Sequence, residues 1–479
     1  MLTVVVLVLL SLVGPLMTAS LPNVTVDHQD GNLQFKMPNA PGLTEVFFNY
    51  MLSSLSNMVP QTAQATQGSD GTWQHKVENA NMNVGEQVQF SVFAMSGSMG
   101  RVQSPVTSWT NAPSPTTAPN TAPNTAPTTA PTTSTPRTMT TLGPRVPSAV
   151  VFRDDFNGVA LDRNDWRMEV SMYGGMNWEF QVYTNQDSNV YLKGGNLFLK
   201  PTLTVDDPKF DENFLTQGTM DVAAIWGVCT NSGNYGCSRE GRYGLLPPIM
   251  SGKVTTFPAI KYGTVEVRAR IPKGDWIWPA IWMLPKSNKY GGWPRSGEID
   301  IMETRGNAVA RSADGVNHGI NEISSTLHWG ASSTTNHYDL THAEKAMPSG
   351  DWHSAFHTWK LTWTADSIVT TVDGEEILRV TLPPSGGFYA KGNMTGQNPW
   401  ASGTDMAPFD EEFFLILNVA VGGTVGFFPD DFDYGVEKPW KNDSPSAAAD
   451  YWARRSDWEK TWSGDNTAME IDYIEMRHL

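Results

Sequence analysis

Gly297-Glu-Ile-Asp-Ile-Met-Glu303 sets three carboxylates within six residues whose other members are apolar. Glu298 and Asp300 alternate with the β-branched Ile299 and Ile301, which is the pattern of a strand that turns its acids to one face and its isoleucines to a core. Glu303 breaks the alternation. In a regular strand it would point into the core, where a bare carboxylate is costly. One extra residue, a β-bulge near Met302, returns it to the acid face. Three acids on one sheet face raise one another's pKa values, so that one carboxylate ionises beside another that keeps its proton. Glycoside hydrolysis needs that division of labour. A surface strand edged with acids is the plainer alternative, but a solvated face does not require Ile, Ile and Met opposite it.

The flanking stretches put aromatic residues beside the acids. Tyr290-Gly-Gly-Trp-Pro-Arg-Ser296 leads into the strand and places Trp293 and Arg295 next to the chemistry. Trp276-Ile-Trp-Pro-Ala-Ile-Trp-Met-Leu-Pro285 holds three tryptophans. Alternation puts them on one face unless Pro279 resets the strand, and Trp278 and Trp282 are the better candidates for a cleft floor. His328, in Thr326-Leu-His-Trp-Gly330, is either a satisfied core histidine or a donor that orients carboxylates and sugars. In Lys261-Tyr-Gly-Thr-Val-Glu-Val-Arg-Ala-Arg270, strict alternation sends Glu266, Arg268 and Arg270 to one face. Arg268 is a candidate to pair with an active-site acid or contact sugar hydroxyls; a solvated strand face is the alternative. Asn177, in Asn177-Trp-Glu-Phe-Gln181, is a further substrate-binding candidate. Asn418 interrupts the apolar run Phe413-Phe-Leu-Ile-Leu-Asn-Val-Ala-Val421 and needs partners there. Met469-Glu-Ile-Asp-Tyr-Ile-Glu-Met476 repeats the acid spacing with Glu470, Asp472 and Glu475, but lacks the aromatic and glycine neighbours of residues 290–303.

Over the whole chain, 479 residues leave room for two domains. A net charge of -16 argues against nucleic acid or an anionic membrane as partner. Eighteen tryptophans suit stacking on pyranose rings, though core packing claims most of them. Residues 1–20 read as a signal peptide, and no later stretch reaches the length of a membrane helix, so a secreted, soluble protein is expected. Residues 21–109 are short alternating runs divided by turn signals, a small all-β sandwich in which Phe47, Tyr50, Trp73 and Phe93 are candidate sugar-stacking residues. Residues 110–143 are mostly Thr, Pro, Ala and Asn, a semi-extended linker with nothing to offset the entropy of folding. Residues 144–479 read as many short strands with no long amphipathic helix, which predicts a large antiparallel sandwich. In an oxidising compartment the two cysteines, Cys229 and Cys237, are expected to form a disulfide that shapes a surface loop. Asn23, Asn393 and Asn442 fit the N-glycosylation pattern.

Ser296-Gly-Glu-Ile-Asp-Ile-Met-Glu303 resembles the active-site strand of glycoside hydrolase family 16, in the form with the extra residue found in laminarinase-like members. The order of the other markers across residues 148–479 strengthens that resemblance. It implies a jelly-roll sandwich with Glu298 as nucleophile, Asp300 as its electrostatic partner and Glu303 as general acid/base. It also implies retention at the cleaved carbon and β-1,3-glucan as the bound polysaccharide. Some members hold a structural calcium ion on the convex side; no acidic loop here demands one, and no other cofactor or metal is expected. The front region is similar to carbohydrate-binding module family 39, the amino-terminal glucan-binding module of invertebrate β-1,3-glucan recognition proteins. Two functions follow: a secreted endo-β-1,3-glucanase, digestive or defensive, and a non-catalytic or weakly catalytic recognition protein of innate immunity. A mixed-linkage glucanase or transglycosylase differs only in subsite shape. A monomer is expected.

Overall fold

The computed structural model describes residues 23–29, 32–40, 43–52, 61–77, 87–96, 100–103, 107–110 and 149–479. The chain divides into two compact units, 1–139 and 140–479. The expected signal peptide lies outside the described residues, and so does all of the expected linker but Thr110. No helix among the described residues is long and apolar enough to cross a membrane.

Every regular element among the described residues of the first unit is a strand. One sheet is built from Thr25–Gln29, Asn32–Pro38, Thr72–Val77 and Thr66–Gln67, and another centres on Leu43–Leu52 and Gln87–Ser96. Leu33, Phe35 and Met37 alternate into its core, where they meet Val46, Phe48, Val88 and Val92. Trp73 also belongs to that core: it is 8% exposed and its indole N–H donates to Asn39 Oδ1 at 2.8 Å, so it is no platform for a sugar. The side chains of Phe47, Tyr50 and Phe93 lie outside the described residues.

The second unit is two large antiparallel sheets packed face to face, the all-β sandwich expected from its many short strands. The first runs Trp166–Met168, Lys253–Ile260, Phe413–Val421, Ile277–Pro285, Glu298–Glu303, Glu322–His328, His342–Ala346. The second runs Val190–Lys193, Asn196–Leu199, Met469–Arg477, Gly263–Arg270, His357–Trp363, Ser367–Val372, Glu375–Thr381, with Val150–Asp154 paired to Met469–Arg477. Ile281, Met283, Ile299, Ile301, Val265, Val267, Trp359 and Leu361 fill the space between them. A second cluster, built on Trp276, Phe428, Trp440, Tyr451 and Trp458, packs against one end of the first sheet. It takes Trp276 out of the tryptophan series: the residue is fully buried and sits at φ 68°.

This arrangement corrects the expectation for Arg268. Its strand lies in the second sheet, and Val265, Val267 and Ala269 use the inner face. Arg268 is therefore on the outside of the sandwich, bonded to Asp472 and lying 4.8 Å from the Phe356 ring centre. The repeated acid motif lies on the neighbouring strand, and all of its acids face arginine: Glu470 meets Arg270, Asp472 meets Arg268, and Glu475 meets Arg153 and Arg477.

Candidate active site

The acid strand carries the expected bulge. Against Ile277–Pro285, Trp282 pairs with Asp300 but Ile281 pairs with Met302, leaving Ile301 without a partner. Against Glu322–His328, Asp300 pairs with Thr326 and Glu303 with Ser324, so two residues again oppose one. Ile301 and Met302 are both fully buried, and Glu303 rejoins Glu298 and Asp300 on the face turned away from the core. Gly297 introduces the strand at φ 85°, and a Cβ there would lie 2.9 Å from the Phe409 ring.

A bulge leaves backbone groups without ladder partners. Ser325, whose side chain turns into the sandwich, donates its hydroxyl to the Ile301 carbonyl, and Thr370 of the opposite sheet donates to Ser325 Oγ at 2.8 Å. Two buried hydroxyls thus hold the kink that turns Glu303. Sequence reasoning missed them; the available signal was a serine at a core-facing position of Glu322-Ile-Ser-Ser-Thr-Leu-His328. Ser325→Ala is expected to lower stability by about 1–3 kcal/mol, because the carbonyl stays buried without a donor. Any turnover that depends on Glu303 should also fall roughly tenfold or more, because the side chain is released. Ser325→Thr, which keeps the hydroxyl, should retain both. Thermal melts and kinetics on the pair check this, and equal turnover in the alanine variant and wild type would remove the role.

The neighbours of each acid are distinct. Trp278 is nearly buried, stacks on Phe427 with ring centres 3.7 Å apart, and donates its indole N–H to Glu303 Oε1 at 2.9 Å. His328 Nε2 lies 3.2 Å from Asp300 Oδ2 and 3.7 Å from Glu298 Oε1. Asn336 Oδ1 accepts from the Trp329 backbone, so its amide nitrogen faces His328 Nδ1 at 2.8 Å; Nδ1 is then the acceptor and Nε2 carries the proton towards the acids. Trp293 lies close enough to Glu298 to favour its ionised form, and its ring centre is 5.6 Å from that of His328. Trp282 pairs across from Asp300 and donates to Asn418 Oδ1 at 2.6 Å, while Asn418 Nδ2 donates to Tyr183 at 3.0 Å. These bonds supply the partners that the asparagine in an apolar strand required.

Asn177 does not touch the acids. Its amide donates to Glu179 Oε1 at 3.0 Å, and Glu179 Oε2 accepts from Gln181 and Tyr183. Asn177 therefore reaches Trp282 only through Glu179, Tyr183 and Asn418. Arg295 holds the Ala331 carbonyl rather than an acid. The disulfide forms as expected, Cys229 to Cys237.

Burial raises Glu298 to about 8, with Asp300 and Glu303 adding to the shift against His328 and Trp293. Burial, then the charge of Glu303, lifts Asp300 well above the usual carboxylate range. Glu303 is oriented separately by Trp278. Glu298, Asp300 and His328 place donor atoms within 4.8 Å of one another, as do His318, Glu322 and Glu344.

A two-sheet sandwich with three carboxylates turned to one aromatic-lined face by a held bulge defines a glycoside-hydrolase-type domain. The model of glycosyl hydrolases family 16 matches residues 231–400. The chain is 43% identical over 344 residues to a β-1,3-glucan-binding protein of Penaeus monodon, covering 68% of this chain and 89% of that one. It is 29% identical over 442 residues to β-1,3-glucan-binding protein 1 of Manduca sexta, covering 86% of each. Among solved structures it is similar to the laminarinase catalytic domain of Thermotoga maritima, with 25% identity, a TM-score of 0.44, and 69% of this chain and 98% of that chain covered. The chain belongs to glycosyl hydrolase family 16 and is a homologue of the proteins named β-1,3-glucan-binding proteins.

Proposed function

We propose that this protein is a secreted endo-β-1,3-glucanase acting with retention of configuration. The bulge that gathers Glu298, Asp300 and Glu303 on one face is the observation that carries the reading. Glu298 attacks the anomeric carbon and forms a glycosyl ester as Glu303 gives its proton to the departing oxygen. Glu303 then takes a proton from water as that water displaces Glu298. Asp300 holds a proton close to Glu298 and steadies the carboxylate that re-forms there when the ester C–O bond breaks and its electron pair stays with Glu298. Trp282, Trp293 and His328 offer the rings and the N–H that a glucan chain over this face would meet. Capture of β-1,3-glucan without turnover is the second reading, favoured by the names of the relatives. It uses the same face and partners.

Proton NMR of a linear β-1,3-gluco-oligosaccharide incubated with the protein separates the two. Hydrolysis with retention makes the β-anomer of the new reducing end appear before mutarotation produces the α-anomer. An α-anomer formed first would overturn the double displacement. Line broadening of the oligosaccharide with no new reducing end would favour capture.

A further inference from the structure

Beside the Asn177 loop lies a cavity of about 590 Å³, within the range that holds small ligands. Its walls come from segments far apart in the chain: residues 174–180, 239–247, Thr424 and 444–449. Glu179 lines it, and the same carboxylate is bonded to Asn177, Gln181 and Tyr183, whose hydroxyl meets Asn418 and so Trp282. The cavity is therefore joined to the acid face by a continuous set of side chains.

Two large aromatics stand at it with most of their surface in water, Trp178 at 54% and Tyr243 at 78% exposed. Exposed rings above a wall of mixed polarity match a pyranose, which has apolar C–H faces and an equatorial rim of hydroxyls. The Glu179 carboxylate and the Ser444 and Ser446 hydroxyls, which donate to Asp450, supply acceptors for such a rim, and Thr424 adds a further hydroxyl. The loop that carries Trp178 is held in an unfavourable shape: Gly174, Gly175, Met176 and Trp178 all have positive φ, of 69°, 58°, 65° and 54°. A bulky residue persists in that region only where its surroundings over-determine it, as they do at ligand clamps. The disulfide loop helps to hold it. Gly236 O accepts from Met172 N, and Gly233 lies against the Tyr173 ring.

We propose that this cavity binds one further glucosyl unit of the glucan lying on the acid face, with Trp178 and Tyr243 as its stacking platforms. The proposal rests on the β-glucan reading above. Its glucosyl unit comes either from the main chain or from a 6-linked side branch, and both sources share the chemistry of a pyranose.

Hydrogen–deuterium exchange on the full chain tests it, in a Glu298→Gln background so that ligands stay intact. The probes are a linear β-1,3 trisaccharide, a linear heptasaccharide, and the trisaccharide bearing a β-1,6-glucosyl branch. The expected result is protection of the Trp293 loop, residues 289–296, by all three probes. Residues 174–180 and 444–449 should be protected by the heptasaccharide alone if the main chain supplies the unit, or by the branched probe as well if a branch can. Trp178→Ala and Tyr243→Ala, each an exposed truncation, should raise about tenfold the concentration of that probe needed for protection at the cavity, and leave the trisaccharide response of the Trp293 loop unchanged. Protection of the Trp293 loop with none at the cavity would overturn this inference and leave the β-glucan reading standing. Protection at neither place by any probe would overturn both.

Discussion

Glu298→Gln loses at least roughly 10³-fold in turnover on β-1,3-glucan, the scale seen when one member of a catalytic group acting as a unit is removed. The amide has the carboxylate's shape and can keep the Trp293 contact, but it cannot form the glycosyl ester. Glucan binding should survive, so the loss falls in kcat rather than KM. Reducing-sugar release by the two proteins measures the effect, and equal rates would assign the chemistry elsewhere. A second readout on the same variant comes from the raised pKa. A carboxylate whose folded pKa is raised binds its proton more tightly in the folded state, so its favourable contribution is complete below the unfolded value near 4.5. It is lost as pH rises through about 8. Above pH 8 wild type carries a buried charge that the glutamine variant lacks, so Glu298→Gln should melt several degrees higher there, with the difference closing below pH 4.5. A melting difference independent of pH would show that the folded protein does not disfavour the ionised Glu298.

That coupling explains why the acid motif was legible and its copy misleading. Both stretches have the same spacing of acids and an isoleucine between the first two, though Tyr473 and Ile474 stand where the first copy has Ile301 and Met302. They differ in what faces them across the sheets. Glu470, Asp472 and Glu475 sit on the outer sheet beside Arg270, Arg268, Arg153 and Arg477, and Glu475 is held below its ordinary range by Arg477 and Arg153. Among the described residues no arginine acts on Glu298 or Asp300, and burial lifts both instead. Partners brought together from 200 residues away are invisible to local pattern, and for that reason Arg268 was misplaced: alternation fixes which face of a strand a residue uses, not which sheet the strand joins. The bulge could be read because an acid at a core-facing position is too costly to stand. Ser325 and Thr370, which hold it, were harder to read: the core-facing position of Ser325 hints at a buried hydroxyl, but its partners Ile301 and Thr370 come from other strands. The cavity beside Trp178 is assembled from four separate segments, and nothing in any one of them announces it.

Glu303→Gln is expected to fail differently from Glu298→Gln, and the contrast assigns their roles. Its side chain can still accept the Trp278 indole N–H through the amide oxygen, so the acid face should stay in place. What is lost is the proton for the departing oxygen. On polysaccharide, where the leaving group is a poor one, that costs roughly 10²–10⁴-fold in turnover. On an aryl β-glucoside oligomer with a strongly acidic phenol, the first step needs no proton and should be nearly unimpaired. The second step still lacks its base, so a glycosyl ester on Glu298 should build up and be visible as added mass on the intact protein. Azide, which attacks without a base, should then discharge it as a β-glycosyl azide. Equal losses on both substrates, with no added mass, would take the proton-transfer role from Glu303. The bulge would then be a packing feature of the sheet, and the face it builds would be left with binding as its chemistry.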